Sequence, residues 1–245
     1  MRLLRHIGRY MIMLSGIFRR PTKAIVLKEL IFKEIDDLII GSLGITAFIS
    51  LFMGAVVALQ TALNLDNPWV PKSLIGFATR QSIILEFAPT FISVIMAGKI
   101  GSYITSSIGS MRVTEQIDAL EVMGINPLNY LIFPKIIALL FYPFLIAIIM
   151  FVGIGGGYLA SVYGGLASAE DFTTGLQETF IPWQIAYAFI KTMFFGILLA
   201  TIPSYHGYYM EGGALEVGKA STTSFVWTCV AIIISNYILT QLLLS

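Results

Sequence analysis

The chain has 245 residues, of which 57% are hydrophobic and only 12% charged, about half the charged share usual in soluble domains. Its mean hydropathy is +0.84; a soluble domain of this length cannot hide so much apolar surface, and a bilayer can accept it. The net charge of +1 gives no reason to expect nucleic acid, and the single cysteine, Cys229, excludes a disulfide framework and any Cys-based metal site.

Eight of the fifteen Lys and Arg residues lie in the first 33 positions: Arg2, Arg5, Arg9, Arg19, Arg20, Lys23, Lys28 and Lys33. Leu3, Leu4, Ile7, Tyr10, Met11 and Leu14 recur among them at helical spacing. This pattern predicts that residues 1–35 form an amphipathic region lying in the membrane interface, its cations near anionic headgroups. A soluble basic tail is the competing reading. Pro21 is expected to end the first helix, and a second short one is predicted over residues 24–33. The apolar stretch 11–18 is short and runs into Arg19-Arg20-Pro21 with no small-residue cleavage site, so the segment is expected to be retained.

Five later stretches approach the ~20 apolar residues that cross a bilayer. They cover about residues 38–63, 74–108, 132–162, 183–205 and 220–244. The first ends at Asn64-Leu65-Asp66-Asn67-Pro68, a turn by composition. The second carries Arg80, Glu86, Pro89 and Lys99. The third ends rich in glycine, at 153, 155, 156 and 157 and again at 164 and 165. Within an apolar span such glycines permit close helix contact; no Gly-Lys-Ser/Thr follows to make a nucleotide loop. Residues 168–182 read as a polar, acidic loop with one short helix, and 206–219 as a second loop. The expected fold is an all-α membrane protein: an N-terminal interfacial amphipathic helix, then a transmembrane domain over 36–245 with five transmembrane helices and a short cytoplasmic helix.

With the N-terminus in the cytoplasm, the inside segments hold the eight early cations plus Lys99, Arg112, Lys135 and Lys219, and the outside segments hold only Lys72. That bias puts residues 113–124 in the cytoplasm and the C-terminus outside. No internal repeat is evident, which disfavours inverted-repeat transporters.

Residues 113–124, VTEQIDALEVMG, are too polar to span, and Gly124 and Pro127 supply a helix stop. On a helical wheel Val113, Ile117, Leu120 and Met123 share one face, and Glu115, Asp118 and Glu121 the other. Such a helix can dock into a partner's groove; it can equally be a solvated helix packed on its own protein. Glu86 is the intramembrane acid, and buried carboxylates in spans are functional candidates. Arg80, six residues away, is a poor partner within one helix, so a pairing across a dimer, or to another span, stays open. Glu86 reads either as a polar spot lining a lipid cavity or as a structural pair at the helix end. Gln60 is a weaker candidate, able to hydrogen-bond between helices. His6 and His206 are too far apart in sequence to suggest a metal site, and no His/Asp/Ser or paired-carboxylate arrangement suggests catalysis.

The run from Gly98-Lys99-Ile100-Gly101 through Gly109-Ser110-Met111-Arg112-Val113-Thr114-Glu115-Gln116-Ile117-Asp118-Ala119-Leu120-Glu121-Val122-Met123-Gly124-Ile125-Asn126-Pro127 closely resembles the signature of the MlaE/YrbE family of ABC permeases. The likeness extends more loosely to the basic start, to Leu85-Glu86-Phe87-Ala88-Pro89, and to Gly218-Lys219-Ala220-Ser221-Thr222-Thr223. The resemblance implies movement of phospholipids or related lipids between the inner and outer membranes of a diderm cell. It implies a homodimeric permease in the inner membrane, a pair of cytoplasmic ATPase subunits that bind ATP and magnesium, and a periplasmic MCE-domain ring; this chain itself would bind no cofactor. By the same resemblance Glu115, Gln116, Ile117, Asp118, Ala119, Leu120 and Met123 would form the coupling helix seated in the ATPase. The first span and the start of the second would supply the lipid cavity, with Val57, Gln60, Thr61, Leu65, Leu85 and Glu86 lining it. The chain departs from the family pattern at Lys99, which stands where Arg is frequent, and at Ser107, which replaces an acid. Leu85 stands where some members carry Arg, so a cationic headgroup contact does not transfer to it. The alternatives are a stand-alone secondary transporter or channel, which would need ionisable residues beyond Glu86 at midplane, and a lipid-modifying enzyme, which would need a polar catalytic cluster.

Overall fold

The structure is a computed structural model that describes residues 2–19, 22–65 and 69–244, with side chains from residue 5 onward. The break expected at Pro21, Arg20, the side chains of Arg2, Leu3 and Leu4, and the Asp66-Asn67-Pro68 part of the first turn lie outside the described residues. Among the described residues the chain is helical without a strand. The helices are α1 (Arg2–Ile17), α2 (Ala24–Asn64), α3 (Ser73–Val113), α4 (Gln116–Val122), α5 (Pro127–Tyr163), α6 (Ala169–Gln177), α7 (Trp183–Tyr208) and α8 (Ala214–Leu244). Five of them, α2, α3, α5, α7 and α8, are long and apolar enough to cross a membrane.

The sequence reading separates a helix over 24–33 from a span beginning near 38. The structure runs the two together: α2 is one helix of 41 residues. No Gly or Pro interrupts residues 24–40, so nothing in the local chemistry stops the helix. At 1.5 Å per residue it is roughly 60 Å long, about twice the thickness of a bilayer core. A wide π turn at Asp36–Ile40 lies within it. Two more π turns lie in α3, at Ile83–Phe91, which contains Pro89, and at Ala97–Gly101. Proline has no N–H to give to the ladder, and a locally widened turn is one way a helix absorbs that loss.

The chain folds as two compact units. One comprises Met1–Gly41, Val94–Tyr142 and Met193–Ile238; the other comprises Ser42–Ser93, Pro143–Thr192 and Leu239–Ser245. They are called the first and the second unit below.

Polar side chains tie the helices of the first unit together. Tyr10 of α1 donates to Thr201 at 2.6 Å, and His6 Nδ1 meets the Tyr205 hydroxyl at 2.8 Å. Burial pushes the Tyr10 phenol up, so it remains a neutral donor. Asn126 donates to the carbonyls of Gly16 and Arg19, and Asn129 donates to Ile17. Asn129 also accepts from both the backbone and the hydroxyl of Thr22. The carbonyls at the end of α1 have no partner inside the helix, and these two asparagines supply one. Lys135, buried, is paired with Glu34. Thr105 donates to Pro203 and to Ser224, both buried contacts.

Small residues bring the backbones of the second unit together. A Cβ on Gly54 of α2 would lie 1.8 Å from the Gly153 carbonyl of α5, and one on Gly156 would lie 2.0 Å from that of Leu51. Of the glycines expected to permit close contact, Gly153, Gly156 and Gly157 sit in that crossing, whereas Gly155 faces open space. In the same way Gly76 of α3 meets the backbone of Phe172, and Gly175 of α6 meets that of Ser73. A Ser168/Asp171 capping box starts α6, satisfying backbone donors that the first turn leaves unpaired. Beyond the end of α6, Thr179 adopts a left-handed φ of 47°. The Arg80 guanidinium, itself buried, holds this end by donating to the carbonyls of Leu176, Glu178 and Thr179.

Candidate functional site

Two places carry the residues singled out from sequence, one in each unit.

In the first unit, α3 does not run on through the polar segment. It ends at Val113, and Glu115 takes a left-handed φ of 58° before α4 begins at Gln116. The expected helix over 113–124 is therefore a seven-residue helix set off by a sharp bend. Its end is as expected: Gly124 has φ 76°, and Ile125 N–H bonds back to the Leu120 carbonyl at 3.0 Å, a glycine-capped stop. Asn126 then caps α5, with Pro127 in its first turn.

The bend changes which side chains face outward. Ile117 is buried and Leu120 half-buried, while Val122 and Met123 are 89% and 65% exposed. The wheel drawn from sequence places Met123 with Ile117 on one face; the structure separates them, because Met123 lies past the last helical turn. The acidic side is not uniform either. Asp118 accepts from Arg112 at 2.8 Å and Glu121 accepts from the Tyr208 hydroxyl at 3.3 Å. Glu115, Gln116 and Ala119 are exposed. The outcome is a short helix fixed to its own unit by Ile117, Arg112 and Tyr208, presenting Val122 and Met123 as an apolar tip.

In the second unit, Glu86 has the partner that sequence left open. It is Lys191 of α7, whose ammonium lies 2.9 Å from the Glu86 carboxylate. The same nitrogen donates to the Leu85 carbonyl at 3.0 Å and to the Tyr187 hydroxyl at 2.8 Å. All three ammonium protons are thus used, as a side chain with 0% exposure requires. Glu86 is 42% exposed and its other oxygen accepts from Thr90 at 2.9 Å. The arrangement leaves the Glu86 carboxylate half-open to its surroundings and fixed in direction by a lysine that is itself inaccessible.

Lys191 was missed in the reading of the sequence, which counted Glu86 as essentially the only ionisable group at midplane. The signal was available: a single lysine at the centre of the apolar run 183–205, where a charge is costly unless paired.

The other expected lining residues divide. Leu85 is half-buried and its carbonyl belongs to the Lys191 cluster. Val57 is buried, and Thr61 bonds back to its carbonyl at 2.8 Å. Leu65 packs on the core of Ala58, Ile75, Ala167 and Phe172. Gln60 is exposed, among Val56, Leu59 and Leu63 on the open face of α2. The structure therefore joins Leu85 and Glu86 but does not gather Val57, Thr61 and Leu65 into one exposed lining with Gln60. Apolar spacing on a helix is the same for lining and for packing, and α5 and α6 take part of that face.

The five apolar helices and the charged pair set within them define a multi-pass membrane protein. A family model described as Permease MlaE matches residues 31–242. A probable ABC transporter permease protein of Rickettsia bellii is 34% identical over 249 residues, covering 98% of this chain and 93% of the relative. One of Synechocystis sp. is 34% identical over 203 residues, 82% of this chain and 77% of the relative. The chloroplastic protein TRIGALACTOSYLDIACYLGLYCEROL 1 of Arabidopsis thaliana is 33% identical over 203 residues, 82% of this chain and 57% of the relative. The chain belongs to the MlaE permease family.

Proposed function

We propose that this chain is the membrane subunit of an ATP-driven transporter of phospholipids or related lipids. In this reading it moves lipid without catalysing a reaction, and ATP with its magnesium is bound and hydrolysed in a separate pair of cytoplasmic ATPase subunits. The chain works as a homodimer in the inner membrane, N-terminus inside and C-terminus in the periplasm, with a periplasmic MCE-domain ring completing the path between the two membranes. The carrying observation is α4: a short helix, rigidly fixed to its unit, whose exposed end is Val122 and Met123. An apolar tip on a helix that also exposes Glu115, Gln116 and Ala119 suits a groove on a partner protein. The lipid substrate is supported by the name of the Arabidopsis relative, which contains a galactolipid. It is supported too by Glu86, a half-open carboxylate positioned by Lys191 within otherwise apolar helices.

The test uses the chain co-expressed with its ATPase and reconstituted in vesicles. Val122→Asp with Met123→Asp is expected to abolish co-purification of the ATPase and ATP-dependent lipid movement. Both positions are exposed, so the melting temperature should change little; such surface changes are usually within about 0.5 kcal/mol. An ATPase that stayed bound to this variant, or lipid movement by the chain with no ATPase present, would refute the assignment.

A further inference from the structure

The first unit contains a polar cavity that neither the docking helix nor Glu86 explains. It has a volume of about 260 Å³ and lies where α1 meets the turn between α7 and α8. That is smaller than the ~300 Å³ at which pockets begin to hold drug-sized molecules. Its lining is charged in both senses. Arg9 and Lys219 supply two cations, Glu211 and Glu216 two carboxylates, and His6 and Tyr205 a hydrogen-bonded polar wall. Lys219 and Glu216 bridge each other at 2.6 Å, but the pair is exposed, and exposed pairs of this kind open readily.

The geometry points to a binding site for the headgroup of a zwitterionic phospholipid, a phosphate joined to an amine. A lone anion in this cavity would face Glu211 and Glu216, and a lone cation would face Arg9 and Lys219. Only a ligand carrying both charges satisfies all four, its phosphate on Arg9 and Lys219 and its ammonium on the carboxylates. The ligand is a lipid because of what adjoins the cavity. Thr223 of α8 lines it, and Trp227, Val230 and Ile234 continue that face as an exposed apolar stripe. On α1, the helix that contributes His6 and Arg9, Ile7 and Met11 are exposed as well. A charged cradle at the head of apolar tracks matches a molecule that is charged at one end and hydrocarbon at the other. This inference is independent of the transport reading, since the site holds a lipid whether or not the chain moves one.

The experiment exchanges the purified 245-residue chain into phosphatidylethanolamine or phosphatidylglycerol of matched acyl chains and counts retained lipid by native mass spectrometry. The wild type is expected to retain phosphatidylethanolamine about threefold or more over phosphatidylglycerol, because like charges on the partner act against the anionic lipid. Glu211→Lys with Glu216→Lys should reverse that preference. Glu211→Gln with Glu216→Gln, a milder change at the same positions, should abolish it without reversing it, and this holds the test even if the charge-reversed chain fails to fold. Both variants leave Glu86 and Lys191 in place, so a preference that survives them belongs elsewhere and overturns the assignment. Equal retention of the two lipids by the wild type also overturns it. An excess of glycerophosphoethanolamine, the same headgroup without acyl chains, should displace little of the bound lipid. Complete displacement would assign the cavity to a soluble phosphoamine and overturn the lipid.

Discussion

The two units combine hydrogen bonds and close backbone contact in different places. In the first, hydrogen bonds from Asn126, Asn129, Tyr10 and Thr105 join the helices, and Gly196 against Leu139 and Gly207 against Thr105 also bring backbones close. In the second, Gly54, Gly156, Gly76 and Gly175 let backbones touch. Side-chain hydrogen bonds can be remade one at a time, each net about 1 kcal/mol. Backbone contact through a glycine has no such gradation, since a single methyl group does not fit. The helix α4 thus sits in the unit whose first helix is tied by adjustable side-chain bonds, and the Glu86–Lys191 pair sits in the unit that contains the tight Gly54 crossing.

The contrast can be broken most severely at the glycine crossing. Gly54→Leu puts a side chain into the Gly153 carbonyl and is expected to cost at least about 3 kcal/mol, read as loss of monodisperse protein or a large drop in melting temperature. If Gly54→Leu were tolerated, the steric reading of that crossing would fall. Next comes Lys191→Met, which leaves Glu86 without its cation. Breaking a buried pair costs ~3–5 kcal/mol; because Glu86 is half-exposed, about 2 kcal/mol is expected here, measured by thermal unfolding in detergent. Adding Glu86→Gln to Lys191→Met should recover most of that loss, and a double-mutant cycle reads the coupling directly. Smallest is Asn126→Ala. It removes bonds to two carbonyls at the end of α1 and is expected to cost about 1–2 kcal/mol. The distinguishing readout is local: hydrogen exchange should rise at the end of α1 while α6 is unaffected.

Much of this architecture was legible in the sequence because bilayers impose a coarse rule. Twenty apolar residues cross, and charged ones mark the ends. Cap chemistry was legible in part: Gly124 ends the helix where the reading put its stop, whereas Pro127, read as part of that stop, opens the next helix ahead of the start expected near residue 132. What escaped was geometry that depends on exceptions to the regular helix. Glu115 enters the left-handed region without being glycine or asparagine, and that bend redistributed Ile117 and Met123. The continuity of α2 escaped because polar residues at 28–37 suggested a boundary where the helix ladder meets no obstacle. The lining of the candidate lipid site was the least legible. Val57 and Gln60 are three positions apart on one helix and differ in burial only because of what packs beside them. Lys191 was legible and overlooked; a pair of opposite charges in separate apolar runs is a long-range contact that sequence alone can suggest.

The π turn at Ala97–Gly101 marks a place where α3 can lose one residue and keep its faces. A π turn holds one residue more than an α-helical turn would use, so removing a single residue there can restore a regular helix without breaking it. In a regular α-helix the same deletion would rotate every later side chain by about 100°; here the widened turn has already absorbed that residue. Ile104, Thr105 and Ile108 would keep the buried face they now occupy, and Thr105 would keep Pro203 and Ser224. Among relatives, a one-residue difference in length at this point therefore leaves the helix frame intact, and residues aligned on either side of it still share a face.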